Sequence, residues 1–125
     1  MYKNKFALVV EDDPGMRQLA QIVLLNLGKF EKIETSSNGL EALESIKCNG
    51  LPDYIFLDIA MPIMNGIEFL EEIQKIYCDK NFKTRIVILS SYDSQDYKQD
   101  VCRFRNVTDY VLKPLTIEKA IKVII

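Results

Sequence analysis

Three consecutive acids, Glu11-Asp12-Asp13, a further acid at Asp58, the serine pair Ser90-Ser91 and a lysine before proline at Lys113-Pro114 have the most chemistry to offer in this sequence. Each follows a short apolar run: Phe6 to Val10, Tyr54 to Leu57, Ile86 to Leu89 and Tyr110 to Leu112. If those runs are strands of one parallel sheet, all four groups meet at its carboxyl edge, where open α/β sheets bind their ligands. Glu11, Asp12 and Asp58 brought together are like charges that push one another's pKa values up unless a cation is at hand. Lys113 offers one positive charge. A divalent ion such as Mg²⁺, which prefers carboxylate, carbonyl and water oxygens, would supply the rest. A cluster neutralised in that way is prepared for an incoming phosphoryl group.

The chain contains no histidine. That removes serine or cysteine nucleophiles paired with imidazole, histidine zinc ligands and a histidine phospho-carrier. Catalysis would then have to come from carboxylates, Lys, Tyr, Ser or Thr; of these a carboxylate is the plausible nucleophile, since aspartyl phosphate formation is established chemistry. Asp58 is the candidate acceptor because it follows the buried run at the centre of the pattern. Phosphoryl transfer needs in-line positioning and neutralisation of the equatorial oxygens. Mg²⁺, Lys113, and the Ser90 hydroxyl with nearby backbone N–H groups could each take one. Plainer roles stand beside these: a solvated turn and helix cap for Glu11-Asp12-Asp13, loop hydroxyls for Ser90 and Ser91, a surface lysine for Lys113, strand packing for Tyr110.

The elements that must position these groups alternate. A weaker run, Ile33 to Thr35, completes five short apolar runs, and continuous ones such as Phe-Ala-Leu-Val-Val suit strands covered on both faces. After the first run, Met16, Leu19, Ala20, Val23, Leu24 and Leu27 form the stripe of an amphipathic helix, opened by Asp13-Pro14 and closed by Gly28. A second helix starts at Asn38, with Glu41 in capping-box position and Leu40, Leu43 and Ile46 inward. A third runs from about Asn65 to Tyr77, a fourth from about Ser94 to Arg103 with Tyr97, Val101 and Phe104 inward. Thr116 caps a fifth, which carries Ile117, Ala120, Ile121 and Ile124. Strict alternation with short links gives a (βα)₅ chain, right-handed crossovers and a doubly wound parallel sheet.

The 125 residues fit one domain, 1–125, with no second core. With 16 basic and 18 acidic residues the net charge is −2, which lacks the footprint of a nucleic-acid or anionic-membrane binder. No window approaches a membrane span, and the first residues lack the apolar stretch of a signal peptide. The three cysteines, Cys48, Cys78 and Cys102, match no redox or metal spacing and read as buried or partly buried thiols of a cytoplasmic protein. The chain stops at Ile124-Ile125 without a polar tail, so an excised piece of a longer protein is as fair an expectation as a whole one.

The strings Val9-Val10-Glu11-Asp12-Asp13, Leu57-Asp58-Ile59-Ala60-Met61-Pro62 with Gly66, Ile88-Leu89-Ser90-Ser91 and Asp109-Tyr110-Val111-Leu112-Lys113-Pro114 resemble the CheY-like receiver domain of bacterial two-component response regulators. The resemblance covers essentially the whole chain. It implies the flavodoxin-like strand order 2-1-3-4-5, which is that of a known receiver and not a derivation from this sequence. It also implies that Asp58 accepts a phosphoryl group, that Lys113 contacts it before an often cis bond to Pro114, and that Ser90 and Tyr110 form the switch. Aligned on Arg17, it makes Glu11 and Asp12 the metal-binding pair, joined by Asp58 and the Ala60 carbonyl, and leaves Asp13 as a cap. The partners implied are a histidine kinase or phosphotransfer protein and an output domain or effector, met through the face of the fourth helix, fifth strand and fifth helix.

Ala60 and Tyr92 stand where the family tunes the life of the phosphoryl group. An alanine cannot orient an attacking water, so self-dephosphorylation is expected not to be fast; a half-life of seconds on the purified protein would contradict this. Asn106-Val107-Thr108 replaces the family's usual Gly-Ala before the last strand, which leaves that loop open. Two other enzyme or cofactor classes fit less well. A flavodoxin-like cofactor site wants a phosphate-binding loop where Glu-Asp-Asp-Pro stands, and a dehalogenase-like phosphohydrolase wants an acid at Ala60. A receiver-shaped scaffold without phosphate chemistry would not need the complete set of acids, hydroxyl and lysine.

Overall fold

Apolar runs rich in β-branched and aromatic residues favour extended chain between two apolar layers. The five strands are β1 (Phe6–Val10), β2 (Lys32–Ser36), β3 (Tyr54–Asp58), β4 (Arg85–Ser90) and β5 (Val107–Leu112). Such runs form the inner strands β1, β3 and β4, while the edge strands β2 and β5 are partly polar. Between and after them run α1 (Pro14–Leu27), α2 (Gly39–Asn49), α3 (Gly66–Tyr77), α4 (Gln95–Cys102) and α5 (Ile117–Val123). The computed structural model describes residues 5–78, 81–91 and 95–124, with backbone alone for 95–97. Tyr92, Ser94 and the Tyr97 side chain thus lie outside the described residues.

All strand pairs are parallel and the order is β2-β1-β3-β4-β5. Alternate residues of each strand face opposite layers. Leu8, Val10, Ile55, Leu57, Ile86 and Ile88 pack against Ala42, Leu43 and Ile46 of α2, Phe69, Leu70 and Ile73 of α3, and Val101 of α4. Ala7, Val9, Tyr54, Phe56, Val87, Leu89 and Val111 pack against Ala20, Val23 and Leu24 of α1 and Ala120 and Val123 of α5. The central strand β3 is buried along its whole length, which fixes the height of Asp58 at the sheet edge.

The helix ends follow local chemistry. Asp13 caps α1 by accepting from the N–H groups of Gly15 and Met16, and Gly28 ends it at a left-handed φ of 67°. Asn65 and Glu68 form a reciprocal capping box on α3, and Thr116 caps α5. The box expected on α2 is only half made: Asn38 accepts from the Glu41 N–H, but the Glu41 carboxylate turns to the Ser37 N–H and hydroxyl.

Other expectations need correction. Leu19, Leu40, Ile117 and Ile121 are exposed, because they stand on the flanks of their helices and not above the sheet. The three cysteines are exposed as well; each lies in the last turn of a helix or just beyond it, past the reach of the cores. β5 begins three residues earlier than the apolar run Tyr110 to Leu112, since an edge strand need bury only part of its surface. The open question before β5 is closed by Asn106, whose Nδ2 donates to the carbonyls of Phe82 and Thr84 at 3.0 and 2.8 Å. Among the described residues no helix is long and apolar enough to cross a membrane.

Candidate functional site

Glu11 follows β1, and its backbone is fixed on both sides. Its N–H donates to the Ser36 carbonyl at 3.0 Å, and its own carbonyl accepts from Arg17 Nη1 at 2.9 Å. Its side chain turns inward and is 1% exposed. There Oε2 accepts from the Asp13 N–H at 3.1 Å, while Oε1 lies 2.7 Å from Lys113 Nζ. Oε1 makes that ion pair without a well-aligned hydrogen bond among the described residues. Asp58, at the end of β3, is buried and stands 3.2 Å from the same lysine through Oδ1. Asp12 is exposed at the rim.

Glu11, Asp12 and Asp58 each present one carboxylate oxygen within 4.8 Å of the others. Three hard oxygen donors at that spacing, two of them on the buried Glu11 and Asp58, fit a small divalent cation such as Mg²⁺. Among the described residues this is the one group of metal-ligating side chains of that kind.

The electrostatics follow from the same geometry. Burial pushes the Asp58 carboxyl up, the nearby Glu11 charge pushes it further, and Lys113 only partly offsets them, so it titrates at about 7. For Lys113, burial opposes the charge, but its ion pairs with Glu11 and Asp58 win and raise its pKa. Lys113 is placed by backbone: its N–H donates to the Ser90 carbonyl at 2.7 Å, and the bond to Pro114 is cis.

Ser90, Tyr110, Ala60 and Asp13 stand on the neighbouring strands and turns. Ser90 is buried at the end of β4, in register with Leu112. Tyr110 lies further back on β5 opposite Ile88, half-buried, with Lys98 Nζ 5.3 Å from its ring centre. Its hydroxyl is buried and has no partner among the described residues. Ala60 is exposed two residues beyond Asp58. Asp13 is engaged as a helix cap. A cavity of about 440 Å³ between α3 and the α4–β5 loop is lined by Glu71, Gln74, Lys75, Cys78, Arg103 and Phe104. None of the clustered carboxylates lines it.

Two contributions were not legible in the sequence. Arg17 serves there only to set register, whereas the structure puts it on the Glu11 carbonyl. Gly66 and Gly39 permit close approaches: a Cβ on Gly66 would lie 2.7 Å from the Asp58 carbonyl oxygen, and one on Gly39 2.8 Å from Met64 Cγ. The Gly66 that stands in the Asp58 motif was the available signal for the first.

Fold and site together define a doubly wound, flavodoxin-like α/β protein with an acidic pocket and a lysine at the carboxyl edge of its sheet. The chain belongs to the response regulator receiver domain family, whose sequence profile matches residues 7–125. Domains of this family are signalling switches that bind Mg²⁺ at an acidic pocket, and Glu11, Asp12 and Asp58 form such a cluster here. The chemotaxis protein CheY of Bacillus subtilis is 31% identical over 117 residues, 94% of this chain and 92% of that protein. The probable C4-dicarboxylate response regulator DctR of Halalkalibacterium halodurans is 32% identical over 90% of this chain, which spans only 46% of that protein. Among solved structures, chemotaxis protein CheY4 of Vibrio cholerae superposes with a TM-score of 0.82 at 28% identity, covering 96% of this chain and 95% of that one.

Proposed function

We propose that this receiver accepts a phosphoryl group on Asp58 from a partner histidine kinase or histidine phosphotransfer protein and switches conformation in response. The observation that carries the reading is the meeting of Glu11, Asp12, Asp58 and Lys113 at one sheet edge. In the step proposed, an Asp58 carboxylate oxygen attacks phosphorus in line as the bond to the donor's imidazole nitrogen breaks, and that nitrogen keeps the electron pair. Lys113, already 3.2 Å from Asp58, is placed to neutralise an equatorial oxygen. Ser90, at the end of the neighbouring strand, offers its hydroxyl to another. Mg²⁺, held by Glu11, Asp12, Asp58 and the Ala60 carbonyl, would supply charge neutralisation and keep Asp58 ionised.

The added phosphate charge then favours one of two arrangements of Ser90, Tyr110 and the α4-β5-α5 face. A cavity of about 380 Å³ on that face, lined by Tyr110, Leu112, Lys119 and Lys122 among others, gives an effector or output domain a place to read the change. The chain binds no nucleic acid directly in this reading, forms one domain over 1–125, acts in the cytoplasm and is a switch that assists its own phosphorylation. Incubation with Mg²⁺ and acetyl phosphate tests it. A phosphate mass adduct is expected on the native chain and not on Asp58→Asn; no adduct, or one that persists in the variant, refutes the assignment.

A further inference from the structure

Asp12 presents a difficulty that the acids themselves do not resolve. Its carboxylate is exposed at the rim of the cluster, and among the described residues no side-chain hydrogen bond or ion pair holds it. Its backbone therefore sets only where the side chain starts, and with it which rotamers reach the cluster. The peptide plane that joins Glu11 to Asp12 is rigid, so whatever fixes the Glu11 carbonyl also fixes the Asp12 N–Cα bond. That carbonyl accepts from Arg17 Nη1 at 2.9 Å, and the Arg17 N–H in turn donates to the Asp13 carbonyl at 2.9 Å. Arg17, the fourth residue of α1, thus meets the turn at both ends, the Glu11 carbonyl through its side chain and the Asp13 carbonyl through its backbone N–H. Its charge also lies in the field of Glu41 on α2, whose carboxylate Ser37 holds.

We propose that Arg17 is a positioning residue for the cation site: it aims Asp12 at the position shared with Glu11 and Asp58 by fixing the Glu11–Asp12 peptide. The proposal rests on the Mg²⁺ site of the reading above. Charge and position make opposite predictions here, which gives the test its edge. Arg17 is a cation close to a cation site, so removing its charge alone would tighten Mg²⁺ binding. Losing an outer partner of a ligand loosens binding, typically by 10- to 100-fold.

The experiment is calorimetric titration of the full chain with Mg²⁺, without phosphodonor, on the native protein, Arg17→Gln and Arg17→Lys, with far-UV dichroism and a melt to show that each is folded. Arg17→Gln is expected to bind about tenfold more weakly. Arg17→Lys, which keeps the charge and gives up the forked donor, is expected to fall between the two. An affinity for Arg17→Gln that is unchanged or tighter overturns the proposal, and if that variant does not fold, an unchanged constant for Arg17→Lys overturns it. Failure of the native chain to bind Mg²⁺ at all would instead refute the cation site itself.

Discussion

Asp58 lies between opposing influences, and their balance has a measurable consequence. Burial and the Glu11 charge raise its titration to about 7 against the pull of Lys113. An acid whose folded pKa is raised favours folding in its protonated form. In the metal-free protein its contribution is full below the ordinary aspartate value of about 4 and is lost as the pH rises through about 7. Denaturant melts of native and Asp58→Asn protein at a series of pH values should show the native chain losing stability relative to the variant across that window; a difference that is flat or rises with pH contradicts the balance described. At this scale the acids, the lysine and the serine were legible in the sequence, because each follows a run that reads as a strand. The bond from Arg17 to the Glu11 carbonyl was not, since side chain to backbone contacts leave no periodic trace.

At the scale of elements, the loops do as much as the strands. The β3–α3 loop carries Met61 inward and returns tightly enough for the Gly66 N–H to reach the Ile59 carbonyl at 2.8 Å. It also meets the start of α2, where the Gly39 N–H donates to the Met64 carbonyl at 3.1 Å. A Cβ at Gly66 would press on the backbone of Asp58 itself, so Gly66→Ala is expected to cost about 1–3 kcal/mol and to slow phosphorylation by acetyl phosphate. Native values of both the melting midpoint and the adduct rate would contradict that role. Helix starts were readable at Asp13, Asn65 and Thr116 because capping is local. The Glu41 side chain defeated the same logic by finding Ser37, and the inward faces of α1, α2 and α5 were drawn too wide, because periodicity gives the centre of a stripe and not which flank a neighbouring helix covers.

For the whole molecule, the apolar runs imply a sheet with two cores, and both form, with Phe56 fully buried in one of them and edge-on to Phe30. Phe56→Ala is expected to destabilise the chain by about 3–5 kcal/mol, read from equilibrium unfolding; a loss under 1 kcal/mol would mean that this layer does not hold β3 and the edge that ends in Asp58. Alternation of element types made a parallel sheet legible, whereas the strand order came from family resemblance, since no local pattern says which strands are neighbours. The edge strands β2 and β5 read weakly because they are partly polar. The absence of histidine fits the proposed function: in that reading the imidazole would belong to the phosphodonor, and the acceptor would be Asp58 at the centre of the carboxyl edge. The most direct measurement is to phosphorylate the chain with acetyl phosphate and Mg²⁺, reduce it with borohydride, which converts an acyl phosphate to an alcohol, and sequence the peptides by tandem mass spectrometry. The account predicts homoserine at position 58; reduction at position 12 or 13 instead, or at no acid, would contradict it.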